Sequence, residues 1–281
     1  MTRIESDASL RSRVRAIAQQ NNLRPQEVLQ MYLFEHLLMR LEKSNYSETF
    51  VLKGGLLIAS MIGVARRTTM DMDTTVIGMP MDEGHVTEAV RAICSEDVDD
   101  GMTYDFERLT PIREDDEYAN WRVHIRVRYG RMDAPIKVDI TTGDAIVPGQ
   151  VVYAYPRMFD RGSIHVMSYP PETVLAEKFK TVVRRGIANT RARDFYDIVM
   201  LWSLHRDGVD AKKLAEAIEA TVQKRGSLEA VQNWEHVLGE IQESEAMRDL
   251  WLRYAESAPY ACGVVFDEVI DVILEIGRTV L

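Results

Sequence analysis

Cysteine is scarce: only Cys94 and Cys262 occur in 281 residues, far apart in the chain. Two such cysteines give neither a disulfide framework nor a structural zinc site, and they suit a reducing compartment. Long apolar runs are missing as well. Nothing approaches the roughly 18 uninterrupted apolar residues that a membrane span needs, and residues 1–20 have no apolar core of the signal-peptide kind. The expectation is a cytoplasmic protein with no membrane partner. Positive charge is in deficit, with a net charge of −10, which argues against non-specific nucleic-acid binding over the whole surface. Internal repeats and low-complexity tracts are absent too.

What remains is a globular composition, 46% hydrophobic, long enough for one large domain or two ordinary ones. Residues 8–43 read as two helices separated at Arg24-Pro25, with Ser9 or Asp7 capping the first. In the second, Val28, Leu29, Tyr32, Leu33, His36, Leu37 and Leu41 recur at helical spacing, which makes His36 a packed histidine rather than a ligand. A helix is expected over 83–96, then a solvated acidic turn from Asp97 to Gly101. Strands are expected at Thr103–Ile112, Trp121–Tyr129 and Ile136–Thr141, with one or two more between Gln150 and Tyr169. After the break at Pro170-Pro171 the pattern is helical, over about 171–185, 191–205, 210–224, 227–239, 243–256 and 262–280. Val264, Val265, Val269, Val272, Ile273 and Ile276 are read as a core face of that bundle. The class is α+β: a first domain, 1–169, with a mixed sheet flanked by helices, and a helical second domain, 170–281.

The chemistry concentrates in Lys53–Val76, KGGLLIASMIGVARRTTMDMDTTV. A short apolar strand enters Gly54-Gly55, and an apolar helix leaves it. Glycines permit a sharp turn and close backbone approach, and free N–H groups at a helix start can hold phosphate. Beyond Arg66 and Arg67, Asp71 and Asp73 are two apart on an extended segment, so both carboxylates share a face. Paired carboxylates call for a cation between them, and oxygen ligands next to a phosphate cradle suit Mg²⁺.

Further on, Lys137 and Asp139 alternate with Val138 and Ile140. A carboxylate in so apolar a strand needs a partner, either a metal shared with Asp71 and Asp73 or an ion pair with Lys137 or an arginine. Arg122, His124, Arg126 and Arg128 share one face of their strand, as solvated charges or as a nucleic-acid face. In the helical half, Lys178 lies beside an apolar stripe, snorkelling to solvent or aimed at phosphate. Asp194 leads an apolar line through Ile198 and Leu201 and shares a helix face with Asp197. Six basic residues and no acidic one lie between Lys178 and Arg193, either a solvated helix end or a landing site for triphosphate or nucleic acid.

Taken in order, KGG…RRTTMDMDTTV, IKVDIT, LAEKFKTVV and RARDFYDIVML resemble the AbiEii/AbiGii toxin family of nucleotidyltransferases, in the DNA polymerase β-like superfamily. The resemblance is good over about 50–200. It implies a nucleotidyltransferase domain followed by a helical domain that completes an active-site cleft. It further implies a metal set of Asp71, Asp73 and Asp139, with Mg²⁺ or Mn²⁺ as cofactor. Nucleotide contacts fall to Gly54, Gly55, Arg66, Lys137, Lys178 and Asp197. Lys178 matches the family's triphosphate lysine and Asp194 its essential helical aspartate, with Asp197 second. Relatives often carry Ser at the position of Gly55 and Thr or Ser next, where this chain has Leu56, so backbone contacts alone are expected there. The implied activity moves NMP from an NTP to an acceptor, expected to be RNA such as the tRNA 3′ end, in the toxin of a toxin–antitoxin or abortive-infection system. A cognate antitoxin on a separate chain is the implied partner. The alternatives are a kinase-like phosphotransferase on the same scaffold and a non-catalytic nucleotide-binding interaction module. A DNA-binding regulator is disfavoured by the acidic balance and by the lack of a helix-turn-helix signature.

Overall fold

The computed structural model describes residues 6–112, 120–224 and 231–281. The chain divides into two compact units, Met1–Asp144 with Val151–Ser168, and Ala145–Gln150 with Tyr169–Leu281. The fold is α+β, with a mixed sheet in the first unit and helices throughout the second.

In the first unit, helices α1 (Asp7–Gln20) and α2 (Pro25–Lys43) precede β1 (Phe50–Lys53), α3 (Gly54–Ile62), β2 (Met72–Val76) and α4 (Glu83–Ser95). Then come β3 (Thr103–Pro111), β4 (Trp121–Tyr129), β5 (Met132–Thr142), β6 (Val151–Pro156) and β7 (Ser163–Ser168). The seven strands lie in the order β3-β4-β5-β2-β1-β7-β6. The pairs β2–β5 and β1–β7 are parallel; the other four are antiparallel. Alternation decides the faces. Met72, Thr74, Val138 and Ile140 point to a core that Leu37 of α2 and Val90 of α4 also line. Asp73, Thr75, Asp139 and Thr141 therefore occupy the opposite face.

The cap of α1 is Ser6, whose Oγ accepts from the Ser9 N–H at 3.2 Å. Asp7 falls inside the first turn, where its carboxylate accepts from the Arg131 N–H at 3.0 Å. Neither Ser9 nor Asp7 is the cap, because the helix already starts at Asp7, one residue before a cap at Asp7 would allow and three before a cap at Ser9.

The solvated acidic turn is also corrected. The Asp100 side chain is only 7% exposed: Arg40 grips it through two hydrogen bonds of 2.7 and 2.9 Å, and His36 Nδ1 lies 2.7 Å away. Burial alone would raise the Asp100 carboxyl, but the bonds from Arg40 and His36 outweigh it and hold the group far below the usual carboxylate range. His36 is packed, as its spacing implies, and its ring serves this ion pair. Arg40 lies over the Tyr104 ring at 4.2 Å and donates to the carbonyls of His36 and Met102.

The second unit carries α5 (Pro171–Arg185), α6 (Ala192–His205), α7 (Ala211–Lys224), α8 (Trp234–Glu243), α9 (Glu245–Ser257) and α10 (Phe266–Val280). Of the helix expected over 227–239, residues 227–230 lie outside the described residues. Val265 is 51% exposed rather than core, because it is the N-cap residue and α10 begins after it. Val269, Ile273 and Ile276 are buried as their spacing requires. No helix among the described residues is long and apolar enough to cross a membrane.

Arg40→Met leaves Asp100 buried without its main partner. We expect a loss of about 3–5 kcal/mol in denaturant unfolding at neutral pH. The Asp100 carboxyl is depressed in the folded state, so its contribution is complete above the unfolded value of about 3.9 and fades as pH falls below it. The gap between wild type and variant should narrow accordingly in acid.

Candidate active site

Strand register builds the site. Lys53 stands opposite Asp73, Asp73 opposite Asp139, and Asp139 opposite Arg122. Four adjacent strands thus carry one row of charge, positive–negative–negative–positive. Asp71, exposed just ahead of β2, precedes Asp73 by two residues.

Burial pushes the Asp73 carboxyl up; Asp139 and Asp71 push the same way, while Lys53 and the Gly55 N–H oppose them. That amide lies 3.4 Å from Asp73 Oδ2. Gly54 has φ +66°, and a Cβ there would lie 2.2 Å from Asp73 Oδ2. The glycine pair therefore lets the start of α3 close onto the aspartate itself. Leu56 is fully buried, so that helix position belongs to the core. A hydroxyl is nevertheless close: Thr69 Oγ1 would be 2.8 Å from a Cβ on Gly55, and it donates to the Asp71 carbonyl at 3.1 Å. Arg67 is buried beside Gly55, whereas Arg66 is exposed.

Arg122 holds Asp139 through bonds of 2.7 Å from Nε and 2.8 Å from Nη2. Of the partners left open for Asp139, this is the arginine. Lys137 is exposed and stands opposite His124. Arg126 pairs with Glu107 and Asp133, and Arg128 with Asp105, so those two guanidiniums of the β4 face are matched to carboxylates on neighbouring strands.

Lys53 itself reaches along the sheet. Its ammonium donates to Thr141 Oγ1 at 2.7 Å and pairs with the Asp144 carboxylate. Sequence reading missed Lys53, Asp144 and Arg122 as members of the site. Cross-strand register would have found Lys53 and Arg122, had the pairings of β1 with β2 and of β4 with β5 been known, whereas Asp144 lies past the end of β5.

In the helical unit Lys178 pairs with both Asp194 and Asp197, the latter at 3.0 Å. Asp197 is fully buried and Asp194 nearly so, as the apolar line behind Asp194 implies. The i, i+3 spacing on α6 places both carboxylates around one ammonium. Lys178 thus neither snorkels outward nor stands alone.

The family model for the nucleotidyl transferase AbiEii toxin of type IV toxin–antitoxin systems matches residues 36–269. The chain belongs to that family. As a member it is a nucleotidyltransferase, and type IV toxin–antitoxin membership brings a nucleotide substrate and an antitoxin partner. No curated protein matches the chain. Among solved structures, a candidate nucleotidyltransferase from H. pylori shares 13% identity, covering 92% of this chain and 94% of its own, with a TM-score of 0.49. JHP933 from Helicobacter pylori shares 14%, covering 89% and 90%, with a TM-score of 0.46. An antigenic nucleotidyltransferase-like protein from Paracoccidioides brasiliensis shares 16%, covering 72% and 91%, with a TM-score of 0.41.

How well would the residues of this AbiEii-family chain hold a divalent metal? Asp71 and Asp73 supply oxygen donors, and Asp73 is crowded by negative neighbours, a combination that suits a hard cation. Among the described residues no three His, Cys, Asp or Glu side chains are gathered as a ready ligand set, and Asp139 is in the grip of Arg122. The donors of Asp71 and Asp73 fit a metal, whereas Asp139 is occupied by its arginine.

Gly54→Ala tests the closure of α3 on Asp73. An L residue at a left-handed φ costs about 1–2 kcal/mol. We expect a larger loss in chemical denaturation, because the carboxylate must also move.

Proposed function

We propose that this AbiEii-family toxin transfers a nucleotide from an NTP to RNA, with the tRNA 3′ end as the acceptor class, and that the reaction depends on Mg²⁺ or Mn²⁺. The observation that carries the reading is the face shared by Asp73 and Asp139 beside the Gly54-Gly55 helix start, with Asp71 near enough for its charge to act on the Asp73 carboxyl. A bound divalent ion would neutralise charge on the phosphates as pyrophosphate departs. Asp71 and Asp73 would hold that ion. Asp139 would be a further oxygen donor for the ion if Arg122 paired with phosphate oxygens instead, for which a guanidinium is equally suited. Backbone N–H groups at the start of α3, with the side chains of Arg66 and Lys137, bind the nucleotide. Within the helical unit, Asp194 and Asp197 orient the Lys178 ammonium, a cation suited to phosphate. The acceptor hydroxyl attacks the α-phosphorus, and the α–β bridging bond breaks.

The experiment is labelled-NTP transfer to total RNA, with α- and γ-label compared and chelator as control. We expect α-label on RNA and none from γ-label. Label from the γ position would instead show the kinase-like alternative. Asp71 is exposed, so Asp71→Ala should abolish transfer with an unchanged far-UV circular dichroism spectrum. Wild-type incorporation by that variant would overturn the assignment.

A further inference from the structure

Lys53 begins at the level of the carboxylates and ends elsewhere. Its Cα stands opposite Asp73, and its charge is still felt by that carboxylate. Its ammonium is instead drawn two residues along the face, to the level where Thr75 pairs with Thr141. Asp144, just past the end of β5, anchors it there. The Asp144 carboxylate accepts from Lys53 and from the hydroxyls of Thr75 (2.5 Å) and Thr141 (3.2 Å). Thr75 and Thr141 in turn lie 3.0 Å apart. The Lys53 and Asp144 side chains are 13% and 7% exposed, so both are screened from water. This is a four-member network built to hold one ammonium in one place.

We infer that Asp144 is a positioning residue for the metal site: it keeps the Lys53 ammonium at the Thr75–Thr141 level, so that Asp73 stays available to a divalent cation. An ammonium released next to Asp73 would be an internal competitor. Tethered on its own strand, it acts at high effective concentration, and a buried lysine seeks the nearest carboxylate. The inference rests on the metal reading of Asp71 and Asp73 given above.

Mn²⁺ binding to the full chain, read by electron paramagnetic resonance of free Mn²⁺, separates this role from a merely structural one. Asp144→Asn should weaken Mn²⁺ affinity about tenfold, the effect of a competing charge worth about 1.4 kcal/mol. Lys53→Met removes the competitor and should bind Mn²⁺ at least as tightly as wild type. Lys53→Met/Asp144→Asn should recover wild-type affinity although it lacks both network charges, an outcome that general loss of structure cannot give. Unchanged affinity in Asp144→Asn, weakened affinity in Lys53→Met, or a double variant as weak as Asp144→Asn would each overturn the inference. If Asp144→Asn does not fold, the Lys53→Met result decides alone. Wild type that binds no Mn²⁺ would instead overturn the metal reading beneath it.

Discussion

Two aspartates face each other across a parallel pair of strands. β2 and β5 put Asp73 beside Asp139 on a partly covered face of the sheet, where like charges repel and solvent cannot fully screen them. The neighbourhood answers that repulsion. Arg122 closes the row at one end, Lys53 stands at the other, and the Gly55 N–H leans on Asp73 from above. A chain that wanted only stability would place apolar side chains here, since paired buried charges seldom stabilise more than well-packed isosteres. In the proposed reading, the site trades its own cations for a metal and a polyphosphate.

The same grouping of charge recurs elsewhere in the protein. In the helical unit one ammonium, Lys178, serves two carboxylates. Between α2 and the segment before β3, Arg40 and His36 together hold Asp100. The three clusters differ in what they can give up. Arg40 is bound on several sides by carbonyls and a ring as well as by Asp100, and reads as structural. Arg122 is 39% exposed and holds a single carboxylate, which makes it the cation most easily exchanged.

Local features were legible in the sequence. Alternation along β4 gave that strand to the residue, and Pro171 opened its helix. The apolar line behind Asp194 announced a buried carboxylate. What escaped depended on distant partners. Lys53 reads as a residue flanking a glycine turn until β1 is known to lie against β2. Asp144 follows the end of β5 and looks like loop. Arg122 is one of several arginines on an alternating strand until register puts it opposite Asp139. Asp100 sits in a run of acidic residues that resembles solvated surface; only the approach of Arg40, sixty positions away, buries it. Hydrophobic period reports which face a residue takes, and not which residue meets it there.

The central claim is that Asp71 and Asp73 hold a divalent cation on the charged face of the sheet. Anomalous scattering from a crystal grown with Mn²⁺ and a non-hydrolysable NTP tests it most directly. The account predicts a Mn²⁺ peak bonded to oxygens of both aspartates at about 2.0–2.3 Å, with the triphosphate on the same ion. Nucleotide bound with no peak at Asp71 and Asp73, or with the ion held by other residues, would contradict it.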